Sequence, residues 1–398
     1  MIIQPKTRGF ICTTAHPEGC RKIVSESIEH AKAHKSECGA KKVLVIGSSM
    51  GYGLSSRIAA AYSSGAATIG IIFDKEGSEK KPASAGWYNT AAFEEFAHRD
   101  GLYAKTINGD AFSKEIKDQT IELIKKDLGK VDMVIYSLAA PRRTTADGTV
   151  YSSVLKTTEG NYTNKTIDLK DNSVKEVTIE PATDEEVLHT IKVMGGEDWM
   201  DWMDALKAAD AIEKDAVTVA FSYLGPEITH PIYMNGSIGQ AKKHLYETSK
   251  AISAKYSDIK AYISVNKALV TQSSSAIPVV PLYISLLFRV MKKNGTHEGC
   301  IEQMTRLFTD KLKAGSAVTD EGGMIRLDDL EMKDEIQNEV RKLWDEVTTE
   351  NVKSLADIDG YWNDFFALFG FGADGIDYEA DTDPVYDIAS LKQHFFSG

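Results

Sequence analysis

Cysteine is scarce. The 398-residue chain has four, Cys12, Cys20, Cys38 and Cys300, and no CxxC pair. That is too few for a disulfide framework at this length. Long apolar runs are missing as well. The longest, Ala276–Phe288, has 13 residues and includes two prolines, against roughly 20 needed to span a bilayer as a helix. The opening residues, MIIQPKTRGFICTTAH, lack the apolar core of a secretory leader. A soluble, reducing, cytoplasmic setting is therefore expected. Excess positive charge is absent too: 46 Lys and Arg face 58 Asp and Glu, for a net charge of −12. A nucleic-acid partner needs a basic face, so none is expected, and neither is a membrane span. There is no internal repeat and no long Gly/Ser linker.

Three small clusters promise little chemistry. Cys12, His16 and Cys20 recur every four residues, but Pro17 and Gly19 oppose a helix that would align them on a metal. No metal site is expected. His297-Glu298 lacks the second histidine of a zincin. Cys300 has no paired base in the sequence and reads as a buried filler.

What the chain does have is an ordinary globular balance, 42% apolar and 26% charged, with length enough for a large core. The first third alternates apolar runs with amphipathic stretches. Strands are expected at 42–47, 67–74, 102–107 and 131–138, with helices at 54–62, 90–99 and 113–127. Four strands and three helices in under 100 residues make half of a doubly wound, mostly parallel α/β sheet. Residues 142–181, rich in Thr, Lys, Asp and Gly, read as an inserted excursion, with a hairpin as its expected form. Further strands are expected at 216–223 and 259–265, around a helix at 238–256. Residues 328–369 read as helical and acidic, without a chemical motif.

The turn Gly47-Ser48-Ser49-Met50-Gly51-Tyr52-Gly53 lies between a strand and a helix. In that context backbone N–H groups and a helix N-terminus can face a pyrophosphate. The alternative is a tight strand–helix turn and nothing more. Asp74 follows 27 residues after Gly47, where a carboxylate can accept from adenosine ribose hydroxyls and repel a 2′-phosphate. Asp110-Ala111 and Leu138-Ala139 follow the next two strands. These four places would share the carboxyl edge of an open sheet, where such folds bind ligands.

A second constellation follows the strand ending at Tyr223. Tyr233 and Lys242 stand nine residues apart. Nine helical steps of about 100° put them on opposite faces, so the two can cooperate only if Tyr233 lies before the helix. Asn235-Gly236-Ser237 offers the turn and an N-cap for that. A phenol beside an ammonium suits a reductase, which needs a donor at a developing oxyanion and a group to hold the nicotinamide ribose. Spacing alone equally fits a loop tyrosine and a solvated lysine. Gly195-Gly196-Glu197-Asp198-Trp199 reads as a structural helix start with acidic first-turn residues.

On RGFICTTAHPEGC (8–20), VLVIGSSMGYGL (43–54), GWYN (86–89), INGDAFS (107–113), YSLAAPRR (136–143), VMGGEDW (193–199), Tyr233-x8-Lys242, KALVTQSSSAIPVVPLY (267–283) and HEGCIEQ (297–303), the chain resembles the trans-2-enoyl-CoA and enoyl-acyl-carrier-protein reductases of the FabV type over nearly its whole length. The resemblance implies an enlarged short-chain-dehydrogenase-like fold. The activity implied is NADH-dependent reduction of the C=C bond of 2-enoyl thioesters in fatty acid synthesis, by a monomer. It implies Tyr233 as catalytic proton donor, Lys242 as the cofactor lysine and Tyr223 as a substrate contact. NAD contacts are implied at Gly47, Ser48, Ser49, Met50, Gly51, Tyr52, Phe73, Asp74, Asp110, Ala111, Leu138, Ala139, Leu269, Val270 and Thr271. Some members carry Glu where this chain has Asp74.

In the mechanism expected, Tyr223 and Tyr233 both donate to the enolate oxygen, and Ala276–Phe288 is a candidate wall for the acyl tail. One domain over 1–398 is expected: a dinucleotide-binding half (40–141), an insertion (142–215), a catalytic and substrate-binding part (216–310) and a helical extension (311–398). A carbonyl reductase on the same scaffold, or a non-catalytic NAD-sensing module, are the competing readings.

Overall fold

The computed structural model describes residues 1–8, 11–138, 140–272 and 274–392. After α1 (Pro17–Ala33) the chain alternates strand and helix: β1 (Lys42–Ile46), α2 (Gly51–Tyr62), β2 (Ala67–Ile72), α3 (Ala85–Arg99), β3 (Ala104–Asn108), α4 (Lys114–Leu123) and β4 (Val131–Tyr136). An excursion and two helices, α5 (Asp184–Met194) and α6 (Glu197–Ala208), precede β5 (Ile212–Ser222). Then come α7 (Ser237–Lys255), β6 (Ile259–Val265), α8 (Val280–Lys293), α9 (Cys300–Arg306), β7 (Ile325–Arg326), α10 (Asp334–Glu346), α11 (Val352–Leu355) and α12 (Ile358–Ala367). The seven strands form one parallel sheet in the order β7-β6-β5-β4-β1-β2-β3.

The sheet is covered on both faces, which is why its strands read as near-continuous apolar runs. Alternation assigns the faces. Val43 and Val45 of β1 pack in one cluster with Ala59, Met304 and Phe308. Leu44 and Ile46 pack on the other side with Ile116, Trp199, Trp202 and Leu245. A third cluster joins α8 to the C-terminal helices through Tyr283, Leu286, Val340 and Phe365.

Several expected boundaries move, each for a local reason. Helix α2 starts at Gly51, not Leu54, so two glycines of the turn belong to its first turn. Strand β2 stops at Ile72, leaving Phe73 and Asp74 beyond it, and β4 stops at Tyr136. The excursion holds two antiparallel hairpins, Arg142–Thr144 with Val150–Ser152 and Tyr162–Asp168 with Ser173–Ile179. Each has its own left-handed turn residue, Gly148 (φ 84°) and Asn172 (φ 60°). Pro17 is the first residue of α1 and His16 its N-cap, accepting from the Gly19 N–H. Cys12 therefore lies in a short strand, apart from the helix that carries Cys20. Among the described residues no helix is long and apolar enough to cross a membrane.

Candidate active site

The carboxyl edge of the sheet is built by loops that continue the strand ladder. Gly47 and Ser48 N–H donate to the Ile71 carbonyl at 3.0 and 2.9 Å, and Ser137 N–H to Ile46 at 2.9 Å. Gly47 has φ 81°, and a Cβ there would meet the Ser137 carbonyl oxygen at 2.6 Å. A Cβ on Gly53 would lie 1.8 Å from the Gly47 carbonyl oxygen. The two glycines thus allow the turn to close tightly on itself and on β4. Gly51 (φ 53°) faces open space. Met50 is the N-cap and makes no side-chain cap bond, so the first N–H groups of α2 are open to an anion. Tyr52 Oη donates to the Lys267 carbonyl at 2.7 Å, bracing the turn against the segment after β6.

Asp74 is held in place rather than free at a strand end. Its N–H donates to Asn108 Oδ1 at 2.9 Å, and Asn108 Nδ2 donates back to the Asp74 carbonyl at 3.1 Å. Ser84 Oγ donates to its carboxylate at 2.8 Å. Burial raises its pKa, and hydrogen bonds from Ser49 and Ser84 oppose that shift. Beside it Phe73 is 79% exposed, an aromatic face suited to a planar base. Asp110 closes a turn by accepting from the Phe112 N–H at 3.0 Å. The Ala111 carbonyl accepts from Lys117 Nζ and Trp202 Nε1 at 3.1 and 3.2 Å. Lys117 also pairs with buried Asp198 at 2.7 Å, and Asp198 accepts from Tyr136 Oη at 3.0 Å. The GGEDW string thus supports the 110–112 turn from behind. Leu138 follows β4 at the same edge; Ala139 lies outside the described residues. Leu269 and Val270 are buried after β6, and Thr271 N–H donates to Ser274 Oγ at 2.8 Å.

The cradle, the open helix terminus and the anchored carboxylate fit an NAD dinucleotide. The turn, Phe73-Asp74, Asp110-Ala111 and Leu138 all stand at the carboxyl ends of β1 to β4.

Tyr233 lies outside the helix, in the run of turns before α7. Gly239 makes that possible: a Cβ there would sit 2.1 Å from the carbonyl oxygens of both Tyr233 and Met234. Within the Asn235-Gly236-Ser237 string the N-cap is Gly236. Ser237 is the first helical residue, and its hydroxyl donates to the Val154 carbonyl at 2.6 Å while its N–H donates to Lys156. The insertion thus clasps the bend that carries Tyr233. The Tyr233 ring stands edge-on to Tyr223, with centroids 4.7 Å apart at 82°. Among the described residues the Tyr233 hydroxyl has no hydrogen-bond partner. Burial, then Glu331, raises its pKa, so it stays protonated at neutral pH. Lys242 Nζ donates to the Phe221 carbonyl at 3.0 Å, one residue from the end of β5. Burial lowers its pKa to about 8.

Sequence reasoning missed Glu331. It is fully buried and accepts from Tyr223 Oη (3.1 Å), Tyr283 Oη (2.7 Å) and the Ala268 N–H (2.7 Å). Tyr223, expected as an enolate donor, has Glu331 as its hydrogen-bond partner. A phenol has one proton, and while Glu331 is ionised that proton faces Glu331. No spacing signal marks Glu331; it stands in the acidic run LDDLEMKDE (327–335), where a solvated residue is the default reading. Lys267 was missed as well. It is 2% exposed, donates to the Ala268 carbonyl and lies over the Phe288 ring. Cys300 starts α9 half-buried, and burial pushes its thiol up to about 12.

Three family descriptions match consecutive stretches: the NAD(P)H binding domain of trans-2-enoyl-CoA reductase (2–79), the trans-2-enoyl-CoA reductase catalytic region (81–313) and the enoyl reductase FAD binding domain (319–382). Among the described residues, 319–382 contains no strand–glycine-turn–helix cradle, so that stretch does not fit a flavin dinucleotide and no step is assigned to one. The NADH-dependent trans-2-enoyl-CoA reductase of Ruminiclostridium cellulolyticum is 58% identical, over 98% of this chain and 100% of that protein. The NADH-dependent enoyl-[acyl-carrier-protein] reductase of Flavobacterium johnsoniae is 56% identical, over 98% and 100%. The crystal structure of Treponema denticola trans-2-enoyl-CoA reductase in complex with NAD superposes with a TM-score of 0.93 at 48% identity, covering 97% of this chain and 99% of that one.

Proposed function

Because the chain belongs to the trans-2-enoyl-CoA reductase family, we propose that it reduces the C=C bond of trans-2-enoyl thioesters with NADH. The observation that carries this reading is the Tyr233 hydroxyl: a protonated phenol with no protein acceptor among the described residues, held at the carboxyl edge beside a dinucleotide cradle. Gly47–Tyr52, Phe73-Asp74, Asp110-Ala111, Leu138-Ala139 and Leu269–Thr271 are the proposed contacts of NADH, which supplies the hydride for the β-carbon. Negative charge then gathers on the thioester oxygen. Tyr233 donates to it and delivers the proton to the α-carbon, directly or through water. Lys242 orients the nicotinamide ribose. The acyl tail is assigned to a cavity of about 320 Å³ whose lining mixes apolar Ile167, Ile277 and Pro281 with charged Asp168, Lys170 and Lys175.

The carrier is coenzyme A or acyl carrier protein, and the protein works as a cytoplasmic monomer. Incubation with NADH and either crotonyl-CoA or acetoacetyl-CoA tests the reading. Rapid oxidation of NADH with the first and none with the second is expected. The reverse would make the protein a carbonyl reductase, and binding of NADH without turnover on either a sensor.

Two results follow from the groups that hold the dinucleotide. In Asp74→Ser the carboxylate no longer repels a 2′-phosphate; like-charge contacts of this kind cost several kcal/mol. The kcat/KM ratio for NADH over NADPH should fall by about tenfold or more, and an unchanged ratio would remove Asp74 from the cofactor site. Lys242 is charged below its lowered pKa and neutral above it. Turnover should fall as pH rises through about 8, and Lys242→Met should lack that limb while starting from a lower plateau.

A further inference from the structure

The hydrogen bonds around Glu331 determine most of their own directions. Gln337 Nε2 donates to the Glu331 main-chain carbonyl at 2.8 Å, and a carbonyl can only accept. The same nitrogen lies 3.1 Å from Tyr283 Oη, so that phenol accepts from Gln337 and has its own proton for Glu331 Oε1. The Ala268 N–H can only donate to Oε2. One contact in the cluster remains reversible, Tyr223 Oη to Glu331 Oε1 at 3.1 Å. If Glu331 is ionised, Tyr223 must donate to it. If Glu331 carries a proton, that proton finds an acceptor on Oε1, at Tyr223; among the described residues the one hydrogen-bond partner of Oε2 is the Ala268 N–H, a donor. Tyr223 then accepts, and its own O–H is free to swing toward Tyr233 and the crevice.

We propose that Glu331 is a positioning residue for the Tyr223 phenol: as the neutral acid it donates to the phenol oxygen and turns the Tyr223 O–H into the crevice, and as the carboxylate it draws that O–H away. Tyr223 thus joins Tyr233 as a donor to the thioester oxygen only while Glu331 holds its proton. This inference rests on the enoyl reductase reading.

The surroundings support a proton on Glu331. The side chain is fully buried, and among the described residues no cation lies within ion-pair distance of it. Burial raises its pKa; Lys267, Tyr283 and the Ala268 N–H oppose the shift, and Asp328 adds to it. The other titratable groups that feel its charge are Tyr223 after β5, Tyr233 before α7 and Tyr52 on α2. All three phenols are pushed upward, so they stay protonated while Glu331 titrates. Lys267, with its pKa lowered to about 8 by burial, is the nearby cation that favours the carboxylate.

The test is the pH profile of kcat/KM for crotonyl-CoA in the wild type, Glu331→Gln and Tyr223→Phe. The wild type should lose activity as pH rises, because the carboxylate form of Glu331 withdraws a donor. The amide introduced by Glu331→Gln can donate to Tyr223 Oη as the neutral acid does, and it cannot ionise. That variant should keep activity within about threefold of the wild-type maximum and show one proton fewer on its descending limb. Tyr223→Phe should also lose one proton from the descent, at a plateau about tenfold or more lower. A descent with the same proton count in both variants as in the wild type would overturn the role of Glu331. If Glu331→Gln is insoluble, the Tyr223→Phe profile decides alone, since a limb acting through that hydroxyl must vanish with it. Wild-type protein that turns over no enoyl thioester at any pH would refute the enoyl reductase reading instead.

Discussion

Tyr233→Phe should lower kcat on crotonyl-CoA by about 10²–10³, the usual cost of losing a donor to a developing oxyanion. Affinity for NADH should stay within about twofold and thermal stability should hardly change. The reason lies in what the hydroxyl touches. Among the described residues it has no protein partner, so its removal leaves no buried donor or acceptor unsatisfied. The ring that packs edge-on to Tyr223 is kept. Steady-state kinetics and a titration of NADH fluorescence on the same preparation separate the two effects. Wild-type turnover in Tyr233→Phe would remove the residue from the chemistry. An equal loss of cofactor affinity would move it to the binding site.

The second large effect is expected at Gly53. Its α-carbon approaches the Gly47 carbonyl so closely that an added methyl carbon would sit 1.8 Å from the oxygen and 2.9 Å from its carbon. Both are backbone atoms and cannot rotate away, so in Gly53→Ala the turn must open. Overpacking of this kind costs about 1–3 kcal/mol. The opening also pulls the first N–H groups of α2 away from the position of a pyrophosphate. The dissociation constant for NADH should rise by about tenfold or more, with a lower melting temperature. Gly51→Ala serves as the comparison, since a Cβ there meets nothing within 4 Å and only the φ of 53° resists it. Isothermal titration of both variants should show the larger loss in Gly53→Ala; equal losses would mean that the turn acts through backbone conformation and not through close packing.

The sheet was legible because burial on both faces writes itself into the strands. KVLVI and ATIGII have no polar interruption beyond their first two residues, and each runs out at the edge where ligands bind, into a glycine turn or a carboxylate. The position of Tyr233 was legible on one condition: nine residues put the two side chains on opposite helix faces, so a phenol that cooperates with Lys242 has to precede α7, where Tyr233 does lie. Less visible was what holds that bend. Ser237 stood in a string suited to capping, yet its hydroxyl reaches Val154, more than 80 residues earlier. A contact at that separation leaves no periodic trace. Glu331 was hidden for a related reason. Its partners come from the end of β5, from the segment after β6 and from α8, and its neighbours in sequence are acids that read as solvated. Asp198 was seen as a helix-start residue, while its pairing with Lys117 emerges only when α4 and α6 are packed together.

The positions at which hydrogen isotopes arrive in the product test the hydride and proton transfers most directly. Crotonyl-CoA is turned over with NADH deuterated at its transferable position, and separately with unlabelled NADH in deuterium oxide. Mass spectrometry and NMR of the butyryl-CoA should show one deuterium at C3 in the first case and one at C2 in the second. Deuterium from NADH at C2, deuterium from solvent at C3, or no transfer from NADH to crotonyl-CoA would contradict those transfers.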